Sequence, residues 1–145
     1  YYEALFNTDE THDFKKEVSV NFMEGLEWVM NYYTKGCIDW RWHYKYNYPP
    51  LFNDLLKFIP SFDTVMIEPN KHTNVSPYVQ LSYVLPIESL PLIPNNIGEK
   101  LLEEREEYYA KKYDIKWAFC KFMWESHLEL PHIDLDDLEE FVNNI

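Results

Sequence analysis

Glycine and cysteine are scarce in this chain, which has three Gly, two Cys and nine Pro among 145 residues. With so few glycines and so many prolines, the backbone has few flexible joints and many rigid ones. Cys37 and Cys120 lie far apart in a chain without secretory features, which favours reduced thiols over a disulfide framework. The cysteines and four histidines also lack the paired spacing of zinc ligands. These histidines are His43, His72, His127 and His132.

Long apolar runs are absent as well. No segment approaches the roughly 20 apolar residues of a membrane-spanning helix, and no signal peptide opens the chain. We therefore expect no membrane partner and an intracellular parent protein, with the cytoplasm favoured over the nucleus. The chain begins with Tyr1 and Tyr2 and no Met, so we expect residues 1–145 to be a fragment of one domain of a longer protein, without an internal boundary.

Positive charge is also limited, because 13 Lys and Arg stand against 25 Asp and Glu and give a net charge of −12. Affinity for nucleic acid depends on cations that face phosphates, so this charge argues against autonomous RNA or DNA binding. Residues 35–57 differ, with four cations and two carboxylates: Lys35, Arg41, Lys45 and Lys57, against Asp39 and Asp54. A locally basic stretch in an acidic chain indicates a surface that a more basic part of the parent completes.

Aromatic residues, in contrast, make up 18% of the chain and concentrate between residues 40 and 48. Every second residue there is aromatic: Trp40, Trp42, Tyr44, Tyr46 and Tyr48. In an extended backbone these rings would line one side, with polar and cationic residues on the other. Such a surface suits single-stranded nucleic acid, since bases stack on rings and cations meet phosphates. The alternative is a packed core segment with a solvated back, which composition alone favours.

The apolar spacing predicts a predominantly α fold with short strands and long ordered loops, in the α+β class. The predicted helices cover residues 13–35, 51–59, 77–85, 97–113 and 132–145. Strands are predicted at 62–67 and near 115–122, and Pro86, Pro91 and Pro94 predict a rigid, non-helical passage.

The helix predicted over residues 13–35 is the clearest of these elements. Thr11 or Asp13 is suited to cap its start, and Gly36 to close its end in a left-handed conformation. Gly25 interrupts it at a cost of about 1 kcal/mol relative to Ala. A close neighbour on that face of the helix would explain why glycine is tolerated there.

Residues 24–37 read EGLEWVMNYYTKGC and residues 39–46 read DWRWHYKY. This pattern resembles the second conserved region of the Xrn family of 5′→3′ exoribonucleases, which is close to EGLQWVLxYYYxGCPSWxWYYPYHYAP. Later segments follow in the same order, since PYVQL at 77–81 and VLP at 84–86 are similar to the family's PFEQL and VLP. LPHID at 130–134 similarly resembles part of its WEGVxLLPFIDE. The resemblance covers nearly the whole chain.

The chain departs from the family pattern at several positions. Ile38 and Asp39 stand where the family has Pro-Ser, and Lys45 and Asn47 replace the Pro and His of PYHYAP. The segment before Trp124 lacks the expected Asn-Gly-Lys. These departures indicate a divergent member, such as a viral one, and they bear on fine substrate preference.

The resemblance implies a role within a larger exoribonuclease core. Family members processively degrade single-stranded RNA that carries a 5′ monophosphate, with divalent metal held by acidic residues of the first conserved region. That region is not part of residues 1–145, so we expect no catalytic residue and no bound cofactor here, and Mg²⁺ in the parent enzyme. The expected partners are the remainder of the parent and single-stranded RNA, for which this chain would shape the substrate channel and serve as scaffold.

Trp42 aligns with the second tryptophan of the family's SWxWYY, and the resemblance implies that its ring stacks on an RNA base near the active site. Trp40 is the next candidate for RNA binding, with an anchor packed under the loop as the alternative. Arg41 is expected either to meet a phosphate or to pair with Asp39. The three tyrosines between residues 44 and 48 are expected to serve packing.

Two alternatives remain at the level of the sequence. One is a magnesium site built from clustered carboxylates, namely Asp134, Asp136, Asp137, Glu139 and Glu140. Their position at a helix start explains these residues without metal. The other is a non-catalytic protein-interaction or structural module derived from the Xrn fold, which the acidic charge favours.

Overall fold

The computed structural model describes residues 1–70 and 73–145, so His72 lies outside the described residues. The described residues form six α-helices, three short 3₁₀ helices and one two-stranded antiparallel sheet. The predicted fold class, mainly α with short strands, is therefore confirmed. The chain divides into two compact units, Tyr1–Asn74 and Val75–Ile145, while the assignment of all residues to one domain stays a prediction.

The first unit contains helices α1 (Tyr2–Phe6), α2 (His12–Lys35) and α3 (Phe52–Phe58), and α2 packs against α3. The sequence predicts α2 and α3 within one residue of their observed limits. It does not predict α1, because five residues are too few for a helical period to show.

Tyr2 fixes the short helix α1 by burying its side chain, which is 1% exposed. The Tyr2 hydroxyl donates a hydrogen bond to Oδ2 of Asp54 at 3.0 Å and accepts one from the N–H of Leu51 at 3.1 Å. Burial is the main reason that the pKa of Tyr2 rises to about 12. The position of α1 thus depends on α3, which lies some 50 residues later in the chain.

Both ends of α2 follow the sequence prediction. The Thr11 hydroxyl accepts a hydrogen bond from the N–H of Phe14 at 3.2 Å and so caps the first turn. Gly36 follows the last helical residue with a φ of 96°, in the left-handed region that glycine occupies without strain. A 24-residue helix with both ends closed is the longest rigid element of the unit.

Residues 36–51 join α2 to α3 without regular secondary structure, and exposure alternates from Trp42 to Tyr48 as the aromatic spacing predicts. Trp40, which the spacing places on the same side, is exposed instead. The half-buried residues are Trp42, Tyr44, Tyr46 and Tyr48, and the exposed ones between them are His43, Lys45 and Asn47. The Tyr46 and Tyr48 rings pack edge-on against Phe6, with centroid distances of 6.1 and 5.8 Å. The loop therefore has an inner aromatic side and an outer polar side.

The strand predicted over residues 62–67 is wrong, because that segment has no strand in the structure. Phe62 is 86% exposed and Val65 is 65% exposed, while Ile67 is buried, so the segment does not present one continuous buried apolar face. The N–H of Met66 donates to the Glu27 carboxylate at 2.9 Å. A side chain of α2 thus satisfies a backbone group that a strand would pair in a ladder.

The second unit contains helices α4 (Pro77–Val84), α5 (Ile97–Glu104) and α6 (Leu135–Asn143) and strands β1 (Asp114–Lys116) and β2 (His127–Glu129). The two strands are antiparallel, and Ile115 of β1 is opposite Leu128 of β2. Helix α4 packs against α6. The Ser76 hydroxyl caps α4, since it accepts a hydrogen bond from the N–H of Val79 at 3.4 Å.

Three predictions for this unit need correction. The helix predicted over residues 97–113 ends at Glu104 and gives way to a 3₁₀ helix, Glu106–Tyr108. The passage that the prolines predict as non-helical contains another 3₁₀ helix, Ile87–Leu92, with Pro91 inside it. The strand character predicted near 115–122 is limited to β1.

A single cluster of buried apolar side chains forms the core described for this unit. Its members are Val79, Leu90, Ile93, Ile97, Leu101, Tyr109, Leu138 and Val142. The buried Tyr109 hydroxyl donates to the carbonyl of Ser82 at 2.8 Å, so its polar atom is satisfied within the core.

Candidate nucleic-acid interface

Trp42 lies half-buried against the second half of α2. An ideal Cβ built on Gly25 would come 2.9 Å from Cη2 of the Trp42 ring, closer than such atoms approach in real structures. The ring is therefore the close neighbour that the interrupted helix predicts. A hydrogen in place of a methyl group at residue 25 leaves room for the outer edge of the indole.

Trp28 connects the Trp42 ring to the helix. Its indole is stacked with Tyr32 at a centroid distance of 5.4 Å and an interplanar angle of 7°, and with Trp42 at 6.1 Å and 21°. The Nε1–H group of Trp28 donates a hydrogen bond to the carbonyl of Asp39 at 2.9 Å. Trp28, Tyr32 and Trp42, together with the slot at Gly25, are called the ring stack below.

Two further hydrogen bonds hold the loop on both sides of Trp42, one to α2 and one to the segment beyond α3. Beyond Trp42, the N–H of Lys45 donates to Oδ1 of Asn21 at 2.9 Å, and Asn21 itself is 5% exposed. Before it, the carbonyl of Ile38 accepts from the N–H of Asn70 at 2.8 Å. The backbone that carries Trp42 is thus anchored to the helix and to the chain beyond α3.

Trp40 and Arg41 occupy different environments beside Trp42. Trp40 is 56% exposed, so within this unit its ring is not packed under the loop. Arg41 is half-buried, and its backbone N–H donates to the Asp39 carboxylate at 2.8 Å. The three residues predicted from the sequence are adjacent on one loop. The ring of Trp40 is exposed, whereas the ring of Trp42 packs against α2. Their role in RNA binding stays a prediction.

The tyrosines of the loop are in packing environments. The Tyr44 hydroxyl donates to the carbonyl of Tyr48 at 2.7 Å, and its ring meets Phe22 edge-on at 5.8 Å. Burial raises the pKa of Tyr44 well above its usual range and also raises the pKa of Tyr46. These shifts reflect the partial removal of the two hydroxyl groups from water, as expected for packing residues.

The acidic C-terminal segment has the structure of a helix start. Oδ1 of Asp134 accepts from the N–H groups of Asp136 and Asp137 at 2.9 and 3.1 Å, and so caps α6. The Asp137 carboxylate accepts hydrogen bonds from Nε–H of Arg105 at 2.9 Å and from the hydroxyl of Tyr108 at 2.7 Å. The Arg105 hydrogen bond is the main reason that the pKa of Asp137 is lowered. Capping accounts for the Asp134 carboxylate, and ion pairing accounts for the Asp137 carboxylate.

The part of the chain that the structure describes contains no group of three or more His, Cys, Asp or Glu side chains placed to hold a metal ion. Among the same residues, none of the helices has the length and apolar character needed to cross a membrane.

The sequence alone identifies Trp42 and its neighbours but not the residues that support them. Trp28 looks like any apolar position of α2, and its contact with Trp42 depends on the path of an irregular loop. Gly25 is the one signal in the sequence that points to a close approach, without naming the partner. Asn21, a buried polar residue of α2, gives no signal of its contact with Lys45.

Fold and site together define the class of this chain: a mainly helical module whose long helix supports a loop of alternating aromatic residues. The family model described as "Xrn1 helical domain" matches residues 1–145. The chain is 35% identical over 145 residues to 5′-3′ exoribonuclease 2 of Neurospora crassa. The aligned region covers 95% of this chain and 13% of the fungal protein.

Two other fungal relatives with the same name agree. The protein of Schizosaccharomyces pombe is 34% identical over 150 residues, covering 100% of this chain and 15% of that protein. The protein of Saccharomyces cerevisiae is 32% identical over 143 residues, covering 95% and 14%. The chain belongs to the Xrn family and spans about one seventh of the length of these relatives.

Proposed function

We propose that this chain is the substrate-channel and scaffold part of a 5′→3′ exoribonuclease that degrades single-stranded RNA carrying a 5′ monophosphate. Family membership supports the reaction class, because the relatives are named 5′-3′ exoribonucleases. The observation that carries the role of this part is the ring stack, in which α2 supports Trp42 through Gly25 and Trp28.

In this proposal Trp42 stacks on a base of the RNA. Stacking on an aromatic side chain contributes roughly 1–3 kcal/mol per base and does not depend on the sequence of the RNA. That property suits an enzyme that moves along a strand one nucleotide at a time. Trp40, which is 56% exposed, is the second stacking candidate, and Arg41 is a candidate for a phosphate.

The cleavage chemistry is assigned to the remainder of the parent. Divalent metal, Mg²⁺ in this proposal, supplies an activated water and stabilises the leaving oxygen when bound. In this proposal the metal ligands belong to the first conserved region of the parent. The net charge of −12 supports the same division, since the cations that meet the RNA phosphates must come largely from another part of the protein.

The test compares the full-length parent with its Trp42→Ala variant on 3′-labelled, 5′-monophosphorylated single-stranded RNA in the presence of Mg²⁺. The wild type should shorten the RNA from its 5′ end, and the variant should remove fewer nucleotides per binding event. Tyr44→Phe is the matched control, because it changes an aromatic residue of the same loop that is assigned to packing. Undiminished processive decay by Trp42→Ala would rule out the stacking role.

The second candidate is a non-catalytic module that keeps the Xrn packing and recognises a protein through its acidic surface. The net charge of −12 favours it. The sequence of the parent outside residues 1–145 separates the two candidates. A first conserved region rich in spaced Asp and Glu supports the nuclease, whereas a parent in which those carboxylates are missing supports the module.

A further inference from the structure

We propose that Gly25 and Trp28 are positioning residues that fix the tilt of the Trp42 ring, and that the ring stacks on RNA only when it is held in this way. The inference rests on the proposed function, because it concerns how the same surface is built. It adds two residues of α2 that do not themselves touch the RNA.

The first support is the shape of the helix surface at Gly25. A Cβ at this position would lie 2.9, 3.6 and 3.8 Å from three atoms of the Trp42 ring, all on its six-membered side. A methyl group would therefore push the outer edge of the indole away from the helix. For the helix alone, alanine would be better than glycine by about 1 kcal/mol. The glycine thus favours the position of the ring at the expense of the helix.

The second support is the double contact of Trp28. Its ring lies between Tyr32 and Trp42, with interplanar angles of 7° and 21°. Its Nε1–H group also binds the carbonyl of Asp39, three residues before Trp42. The Trp28 side chain therefore contacts both the ring of Trp42 and the backbone that leads to Trp42.

The tilt of the ring is important because stacking is directional. Aromatic rings attract each other in offset-stacked or edge-on arrangements. An indole ring that is tilted away from a base loses much of its contact area with that base. Gly25 lets the edge of the indole lie close against α2, and Trp28 restricts the rotation of the indole. Together they present Trp42 to the strand in one orientation without an ordering cost at each step.

The experiment measures KM, kcat and nucleotides removed per binding event for the full-length parent on 5′-monophosphorylated single-stranded RNA. Gly25→Ala should raise KM about three- to tenfold with kcat changed less than about twofold, because stacking contributes to ground-state and transition-state binding alike. Asn31→Ala is the matched control, since it introduces alanine into the same helix at a residue outside the ring stack. It should leave KM within about twofold of the wild type.

Trp28 is tested with two variants. Trp28→Phe keeps a flat ring between Tyr32 and Trp42, so it should retain most of the affinity for RNA. Trp28→Leu removes the ring and should raise KM about as much as Gly25→Ala does. Equal KM values for Trp28→Phe and Trp28→Leu would contradict a role that depends on ring stacking.

A double variant separates positioning from a general structural effect. In the Trp42→Ala background the ring is gone, so adding Gly25→Ala should have no further effect on KM. An undiminished effect of Gly25→Ala in that background would overturn the inference. Gly25→Ala adds only one methyl group to a helix, so it remains informative if Trp28→Leu fails to fold.

The outcomes also separate this inference from the proposed function. If Trp42→Ala impairs RNA degradation while Gly25→Ala and Trp28→Leu behave as the wild type, the inference is wrong and the stacking role stands. If Trp42→Ala itself leaves KM and processivity unchanged, the stacking role fails and the inference fails with it.

Discussion

Asp54 is a buried carboxylate, 4% exposed, that ties three parts of the first unit together. Its oxygens accept hydrogen bonds from Lys57 at 2.7 Å and from the Tyr2 hydroxyl at 3.0 Å, and Lys15 lies 3.9 Å away. The hydrogen bond from Lys57 is the main reason that the pKa of Asp54 is lowered. The ionised form of Asp54 is therefore more stable in the folded state than in the unfolded state.

This lowered pKa predicts a pH dependence. Because the folded-state pKa of Asp54 is below the unfolded value, the stabilisation is present above about pH 4 and is lost as the pH falls through the folded pKa.

At neutral pH, Asp54→Asn should lower the opening free energy of the Leu55 amide by about 1–3 kcal/mol. Hydrogen exchange on the full-length protein measures this, with the exposed Asp63→Asn as the control. Equal protection in both variants would show that the buried carboxylate does not hold α1 and α3.

Gly98 gives a second prediction, which contrasts with Gly25. A Cβ at Gly98 would lie 1.8 Å from the carbonyl oxygen and 2.3 Å from the carbonyl carbon of Leu90, which are backbone atoms that cannot rotate away. Gly98→Ala should therefore destabilise the second unit by about 3 kcal/mol or more. Gly25→Ala meets only the edge of a ring and should leave the protection of α2 nearly unchanged. Hydrogen exchange measures the Leu101 amide of α5 in Gly98→Ala and the Val29 amide of α2 in Gly25→Ala, each against the wild type. A small loss of protection at Leu101 in Gly98→Ala would contradict the close packing at Gly98.

At the scale of elements, the sequence predicts helices well where the ends carry their own signals. The hydroxyl groups of Thr11 and Ser76 and the left-handed Gly36 act through local geometry, which a single sequence contains. The helix predicted over residues 97–113 ends early for reasons that are only partly local. In a continued helix Glu103 would lie three and four residues from Glu106 and Glu107, a spacing at which like charges repel and destabilise the helix. The pairing partner of Arg105 lies 32 residues later, at Asp137, and no local pattern indicates it.

The cap of α6 provides a prediction at this scale. Asp134→Ala removes the oxygen that accepts from two N–H groups and should destabilise the first turn of α6 by about 1 kcal/mol. Asp134→Asn keeps a capping oxygen and should retain most of that stability. The measurement is the exchange rate of the Asp137 amide in the full-length protein. Equal losses in the alanine and asparagine variants would indicate that the charge, and not the cap, is what the helix start needs.

At the scale of the whole molecule, the chain is acidic and corresponds to a small part of its relatives. Its net charge is −12, and it spans 13% of the Neurospora crassa protein. The sequence predicts the family and the loop that carries Trp42, because both depend on adjacent residues. The ring stack could not be predicted, since Trp28 and Trp42 meet only after an irregular loop has folded back on α2.

The most direct measurement locates the RNA on the full-length parent. A 5′-monophosphorylated single-stranded RNA with 4-thiouridine near its 5′ end is bound without divalent metal, so that it is not degraded, and is then cross-linked by light and mapped by mass spectrometry. We predict cross-links in the peptide that contains Trp42, which Trp42→Ala should abolish while Tyr44→Phe retains them. Cross-links confined to other parts of the parent, with the peptide of Trp42 unmodified, would contradict the assignment of this chain to the RNA channel.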